Sequence, residues 1–180
     1  VCLILGDNIF FGSGLGRSLA RMNQVVGASI FAYRVEKPQR YGVIEMDENG
    51  QVLSLEEKPT QPKSSFVVPG LYFYDGSVSE IAKQLQPSAR GELEITDLNR
   101  AYLERGLLKA EVLSEEITWL DAGTIDALYD ASTLVYDIER RVGRKINAPE
   151  EIAWRQGLIT DQQLRLLADQ QRKSGYGEYL

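Results

Sequence analysis

The stretch Val1-Cys2-Leu3-Ile4-Leu5-Gly6-Asp7-Asn8 decides the class of fold. Five apolar residues run without interruption and stop at a turn signal that carries a carboxylate. Such a run reads as a β-strand buried on both faces. In open α/β sheets, ligands bind beyond the carboxyl ends of the strands, so Asp7 stands where chemistry is expected. A carboxylate there can hold Mg²⁺, a hard cation that prefers oxygen ligands; alternatively, Asp7 or Asn8 caps an Asx-turn. The run opens at Val1, with no initiator methionine and no signal-peptide layout. A strand buried there needs neighbours, so the chain reads as part of a longer protein.

Downstream, strand and helix patterns alternate. Residues 12–23 carry Leu15, Leu19 and Met22 at helical spacing, and residues 28–35 read as a strand. Residues 43–47 and 52–55 flank Asn49-Gly50, the strongest hairpin signal in the chain. Residues 66–74 are the most β-prone segment, and Pro69 within them forces a break, a bulge or an edge position. Helices are expected over 77–85 and 92–105, and short strands over 109–113 and 117–120. Beyond Asp121 the pattern turns helical. Ile125, Leu128, Val135, Ile138 and Val142 mark one long amphipathic helix with an interruption expected near Ser132. A short helix over 149–156 follows, and Thr160-Asp161-Gln162-Gln163 fits a capping box opening a third, with Gly175 as its stop. The expectation is an α/β core with a mixed, mostly parallel sheet over residues 1–122, and a helical appendage over 123–180.

Composition narrows the chemistry. The 180 residues include 20 basic and 26 acidic side chains, for a net charge of −6. An acidic chain without a basic cluster is a poor nonspecific nucleic-acid binder, and no apolar run approaches the roughly 20 residues that span a bilayer. The single cysteine, Cys2, cannot form an internal disulfide and points to a reducing, cytoplasmic compartment. Histidine is absent. That excludes Ser-His-Asp and Cys-His catalysis, histidine-bound zinc and histidine general bases within these residues. Chemistry must run on carboxylates, lysines, arginines and backbone dipoles.

Several places could carry it. Asp121, in Thr118-Trp119-Leu120-Asp121-Ala122-Gly123-Thr124, follows a short strand and precedes the long helix. It is either a carboxylate favoured by the helix dipole or a second metal ligand facing Asp7. In Glu56-Glu57-Lys58-Pro59, strand alternation sets Glu57 opposite to Glu56 and Lys58. Carboxylate and ammonium together could bind a polyol and a phosphate; an isolated charge run is otherwise a solvated surface. Arg90, ahead of a helix, suits an anion or is an unpartnered loop arginine. Gly12, Gly14 and Gly16 match neither G-x-G-x-x-G nor a Walker A loop. Tyr72 reads first as a packing residue.

In order, Leu-Gly-Asp-Asn-Ile-Phe-Phe-Gly, Arg-Tyr-Gly-Val-Ile-Glu, Ser-Leu-Glu-Glu-Lys-Pro, Gly-Leu-Tyr-Phe-Tyr-Asp, Arg-Gly-Glu-Leu-Glu-Ile-Thr-Asp and Trp-Leu-Asp-Ala-Gly-Thr closely resemble the glucose-1-phosphate thymidylyltransferases. These enzymes open dTDP-L-rhamnose synthesis. The resemblance implies a Rossmann-like nucleotide-diphospho-sugar transferase core without its N-terminal lobe. It implies Asp7 and Asp121 as Mg²⁺ carboxylates and Glu57 as the partner of sugar hydroxyls. Gly42 and Val68 would supply backbone contacts, with Tyr41 and Tyr72 lining the pocket, and Lys58 and Arg90 the catalytic pair on the sugar phosphate. Glu151 and Arg155 would fall in a regulatory nucleotide site between subunits, in a homo-oligomer, a tetramer by resemblance. The partners would be dTTP and glucose 1-phosphate. The family usually has threonine at Pro69 and Ala122 and histidine at Ile125. Alternatives are another sugar-1-phosphate nucleotidylyltransferase and a non-catalytic sugar-phosphate-binding or assembly module.

The family's glycine-rich loop and its Lys-Pro-Met segment, which grip the triphosphate, are not among residues 1–180 and are expected upstream of Val1. Without that backbone N–H cradle, the acidic 180-residue chain should not catalyse nucleotidyl transfer. Pyrophosphate release from dTTP, glucose 1-phosphate and Mg²⁺ is the assay; steady turnover by the purified chain would contradict the expectation.

Overall fold

The computed structural model describes residues 1–22 and 24–180. Asn23, the last residue of the first expected helix, lies outside the described residues. The chain divides into two compact units, Val1–Ala131 and Ser132–Leu180.

The first unit holds β1 (Cys2–Ile4), β2 (Asn8–Gly12), α1 (Leu15–Ala20), β3 (Ala28–Arg34), a 3₁₀ turn (Pro38–Arg40), β4 (Gly42–Met46) and β5 (Val52–Glu57). It continues with β6 (Phe66–Val67), β7 (Leu71–Tyr74), α2 (Val78–Ala82), α3 (Ile95–Glu104), β8 (Leu108–Val112), β9 (Ile117–Asp121) and the start of α4 (Ile125–Val142). β3 is the spine of a seven-stranded sheet. β8 runs parallel to it, whereas β6 and β7 run antiparallel along it. β2 and β9 pair with each other as a separate antiparallel ribbon.

The spine alternates faces as a strand must. Ile30 and Ala32 pack with Val78 and Ile81 of α2 and Leu98 and Tyr102 of α3. Phe31 faces the other way, with Phe10, Ile117 and Trp119 of the ribbon. The sheet is thus covered by helices on one face and by the ribbon on the other.

Pro69 breaks the β-prone segment as expected, and the break organises the sheet. Between the pairs Ile30↔Tyr72 and Tyr33↔Val67, β3 spends Phe31 and Ala32 where the other strand spends Val68, Pro69, Gly70 and Leu71. On one side of this bulge the outer neighbour is β4, with Val68 N–H donating to the Gly42 carbonyl at 2.9 Å. On the other it is β1, with Leu5 N–H donating to the Gly70 carbonyl at 2.9 Å. Pro69 sits buried at the switch and has no N–H to leave unpaired.

Four expectations need correction. The sheet is mixed, but among the described residues only β3–β8 is a parallel pair in it, because hairpins and the Pro69 bulge connect most of the strands. β1 is not buried on both faces: among the described residues it pairs only with β7, and Val1 and Ile4 are 69% and 56% exposed. α4 runs through Ser132 without interruption, since a polar residue on an outer helix face costs nothing in packing. Gly175 does not stop a helix. α6 (Asp161–Gln170) has ended by then, and Gly175 opens α7 (Gly175–Tyr179) behind the Ser174 cap. The strand β2 also forms over a stretch whose periodicity did not announce it, because β9 supplies its partner.

The second unit completes α4 and adds α5 (Pro149–Arg155), α6 and α7. The Thr160 capping box is made in full: Gln163 N–H donates to Thr160 Oγ1 and Thr160 N–H donates to Gln163 Oε1. No helix among the described residues is long and apolar enough to cross a membrane.

Asp75 joins β7 to α2. Its carboxylate accepts from Ser77 Oγ at 2.6 Å, from Gly27 N–H and Ser77 N–H at 2.9 Å and from Tyr102 at 3.1 Å. The Ser77 hydroxyl and these backbone donors hold its pKa down to about 2. A depressed folded-state pKa means that the unfolded chain binds the proton more readily. The stabilisation by Asp75 is therefore complete above its ordinary value of 3.8 and is lost as pH falls towards about 2. Asp75→Ala should destabilise the first unit by about 2 kcal/mol at neutral pH and flatten this acid limb, measured by urea unfolding from pH 7 to 2.

Candidate functional site

The cleft lies where the sheet divides. β1 and β4 diverge on either side of the Val68–Gly70 bulge, the end of the β2–β9 ribbon closes one flank, and the first turn of α3 closes another. The resulting cleft of about 180 Å³ is lined by Asp7, Tyr41, Gly42, Glu57, Lys58, Val68, Tyr72 and Asp121. Eight residues singled out from the sequence thus meet in one place.

Asp7 and Asp121 converge through the ribbon. Asn8 and Asp121 are ladder partners, and Ala122 N–H donates to the Asp7 carbonyl at 2.8 Å. A Cβ built on Gly123 would stand 3.0 Å from Asp7 Oδ2 and 3.1 Å from Asp121 Oδ1. Two carboxylate oxygens therefore border one gap that any side chain at 123 would fill. Asp121 is not the helix cap: Thr124 Oγ1 accepts from Ala127 N–H, and α4 begins at Ile125. No group of three potential ligands from His, Cys, Asp and Glu occurs among the described residues. Two hard oxygen donors suit Mg²⁺, which keeps several waters and takes its remaining ligands from phosphates.

Glu57 is fixed from the opposite wall. It faces Gly42 across the β4–β5 ladder and accepts from Thr96 Oγ1 at 2.5 Å. A Cβ on Gly42 would come 3.0 Å from Thr96 Oγ1 and 3.3 Å from Glu57 Oε2, so the missing side chain leaves room for this contact. The other Glu57 oxygen faces both cations, with Lys58 Nζ at 3.8 Å and an Arg90 guanidinium nitrogen at 3.9 Å. Strand alternation had set Lys58 on the face opposite to Glu57. The structure corrects this: β5 ends at Glu57 and Lys58 takes a left-handed φ of 44°, which swings its side chain back beside Glu57. Glu56 does face away and pairs with Lys63 at 2.7 Å. A non-glycine residue held at positive φ beside a cleft stores strain where a ligand can use it.

Arg90 is neither unpartnered nor at a helix start. It also pairs with Glu92 at 2.9 Å and Glu94 at 3.4 Å, and α3 begins only at Ile95. Ser88 N–H donates to the Glu92 carbonyl, which folds residues 88–92 into a loop of their own. All three of its ion pairs involve a half-exposed guanidinium and are weak enough to yield to a phosphate. Val68 N–H is committed to Gly42, so only the Val68 carbonyl remains for a ligand. Burial, with the Glu57 and Asp7 carboxylates, pushes the Tyr72 phenol up, so Tyr72 stays neutral and can donate a hydrogen bond.

Other lining residues were not singled out as site residues from the sequence, among them Thr96, Asn99, Arg40 and Trp119. Thr96 and Asn99 are buried polar residues on the inner face of α3; two polar residues on a stripe with Ile95, Leu98 and Tyr102 were the available signal. Arg40 lines the cleft from the 3₁₀ turn. Trp119 packs edge-on against Tyr33 and Tyr41 and holds Tyr41 at the rim.

Glu151 and Arg155 lie elsewhere, in the helical unit. Arg155 Nε donates to Glu151 at 2.7 Å, and the Tyr179 hydroxyl also donates to Glu151. They line a second cavity of about 400 Å³ with Arg144, Trp154, Arg165 and Tyr179.

The nucleotidyl transferase family model matches residues 1–137, the segment that builds the cleft. The chain belongs to the nucleotidyl transferase family. It is 58% identical over 180 residues to a glucose-1-phosphate thymidylyltransferase of Mycolicibacterium smegmatis, covering all of this chain and 62% of that protein. A glucose-1-phosphate thymidylyltransferase of Neisseria meningitidis is 49% identical over 181 residues, with 63% of its length covered. The structure of a UDP-glucose pyrophosphorylase complexed with UDP-glucose aligns with a TM-score of 0.63 at 25% identity, covering 76% of this chain and 56% of that one. The chain thus spans about 62% of the length of the curated relatives it matches. Within this nucleotidyl transferase chain, Gly123→Ala should push one carboxylate out of the shared gap. Mn²⁺ affinity by electron paramagnetic resonance is expected to fall about tenfold, with the melting temperature little changed.

Proposed function

We propose that this chain carries the sugar-phosphate and metal side of a glucose-1-phosphate thymidylyltransferase, which transfers a nucleotidyl group from dTTP to α-D-glucose 1-phosphate. The observation that carries the reading is the convergence of Asp7 and Asp121 on one gap, with Lys58 and Arg90 both within 4 Å of Glu57 on the opposite wall. The identity with thymidylyltransferases over the whole chain supports it. A phosphate oxygen of glucose 1-phosphate attacks the α-phosphorus of dTTP. A new P–O bond forms, the bond to the β-phosphate bridge breaks, and dTDP-glucose and pyrophosphate result. The nucleophile is already ionised at neutral pH, so no general base is needed, which suits these histidine-free residues.

Each residue has a task that its position permits. Glu57, oriented by Thr96, accepts from sugar hydroxyls, and the Tyr72 phenol and the Val68 carbonyl face the same ring. Lys58 and Arg90 leave their long contacts with Glu57 to hold the sugar phosphate. Asp7 and Asp121 would hold Mg²⁺, which, when bound, supplies the positive charge that lets two anions approach. The remaining work is positioning. The likeness to a UDP-glucose pyrophosphorylase supports a second reading, the same transfer with another base or sugar.

In the helical unit, three arginines beside Trp154 and Tyr179 suit an anion attached to a flat ring. We assign Glu151 and Arg155 there to a regulatory nucleotide site, and the exposed apolar residues of α4, among them Ile125, Leu128 and Tyr129, to contacts in a homotetramer. The setting proposed is the cytoplasm.

Calorimetry with glucose 1-phosphate tests the cleft. Lys58→Ala and Arg90→Ala should each weaken binding by at least about tenfold, since a charge-assisted hydrogen bond contributes about 1.5–3 kcal/mol. Unchanged affinity in both variants would return them to the solvated surface.

A further inference from the structure

Asn8 opens β2 and stands between the carboxylates and the bulge. Its side-chain oxygen accepts from Gly70 N–H at 2.9 Å and from the Trp119 indole N–H at 2.6 Å. Neither donor can accept, so both together fix which end of the amide is oxygen. The amide nitrogen is thereby turned towards Asp7 and donates to Asp7 Oδ1 at 2.8 Å. That contact leaves Asp7 Oδ2 as the oxygen facing the gap at Gly123. Gly70 makes the arrangement possible, because a Cβ there would stand 2.8 Å from Asn8 Cγ. The backbone of residue 8 also pairs with Asp121, so one residue touches both carboxylate positions and the bulge.

We infer that Asn8 is a positioning residue: its amide orients Asp7 for a divalent cation and ties that carboxylate to the Gly70 bulge that forms the sugar-facing floor. The inference rests on the proposal that Asp7 and Asp121 hold the metal. It also explains why an amide, and not a second carboxylate, stands at position 8. Aspartate could accept from Gly70 and Trp119, but in its ionised form it has no proton to donate to Asp7.

The test is Mn²⁺ titration of the 180-residue chain by electron paramagnetic resonance, with melting temperatures recorded alongside. The wild type and Asp121→Asn come first. If the wild type binds no Mn²⁺, or Asp121→Asn binds as well as wild type, the metal reading itself fails. If that reading stands, Asn8→Ala should weaken Mn²⁺ about tenfold, the scale on which partners of metal ligands act. Tyr33→Leu strips a ring packed edge-on against Trp119 but touches none of the Asn8 hydrogen bonds, and should stay within about twofold of wild type. Should Asn8→Ala fail to fold, Asn8→Ser replaces it, with the same weakening expected. Asn8 variants that lower the melting temperature yet bind Mn²⁺ like the wild type would overturn the inference. An equal loss of affinity in Tyr33→Leu would do the same, because it would make the effect one of general packing.

Discussion

The cleft exists because one strand changes its outer neighbour at Pro69. A regular strand offers its whole edge to a single partner, and a sheet built that way has no interior opening. Here Val68 bonds to β4, Gly70 bonds to β1, and the residue between them has no N–H to satisfy. The two outer strands separate at that point, and the opening is lined from both sides. Polar groups can enter without leaving orphaned backbone donors, since the bulge residues already have their partners. The glycines at 42 and 70 serve the same geometry. At Gly70 a side chain would collide with Asn8, and at Gly42 it would press on Thr96 and Glu57.

The electrostatics of the opening follow from where its walls come from. Asp7 and Asp121 arrive on adjacent strand ends of the ribbon, so their charges are close by construction. Two carboxylates at such range repel each other and are stabilised by a cation between them. On the other wall, Glu57 lies under Lys58 and Arg90 at nearly 4 Å, long for an ion pair. A phosphate placed over these cations would gain shorter contacts than the carboxylate offers. The cleft thus sets a pair of carboxylates at one end and two cations at the other, the arrangement on which the proposed metal-assisted phosphate reaction rests.

Much of this was legible along the chain. The Asn49-Gly50 hairpin, the break at Pro69, the Thr160 capping box and the long helix from Ile125 are local events, written in turn chemistry and periodicity, and they formed where expected. Asp7, Glu57, Lys58 and Asp121 stood out as carboxylates and cations at strand ends, and they meet. Illegible were features that depend on a remote partner. β2 has no alternation of its own and is a strand because β9 lies beside it. The exposure of β1 depends on which strands flank it, which an apolar run of five residues does not encode. The backward swing of Lys58 comes from a single positive φ that no lysine advertises.

What the sequence by itself determined is the kind of chemistry available. Residues without histidine and with a lone cysteine must work with carboxylates, cations and backbone, and their order of motifs points to one family. Tertiary structure decided which of those groups face each other. Asp7 and Asp121 are 114 positions apart in number, and Asn8 reaches Trp119 across a similar span. Local propensity acts over a few residues, whereas these contacts arise only when strands from distant parts of the chain pair and their side chains fall on the same face. The placement of Asn8 shows the difference most plainly: read locally it is half of a turn, and folded it joins a carboxylate, an indole and a bulge.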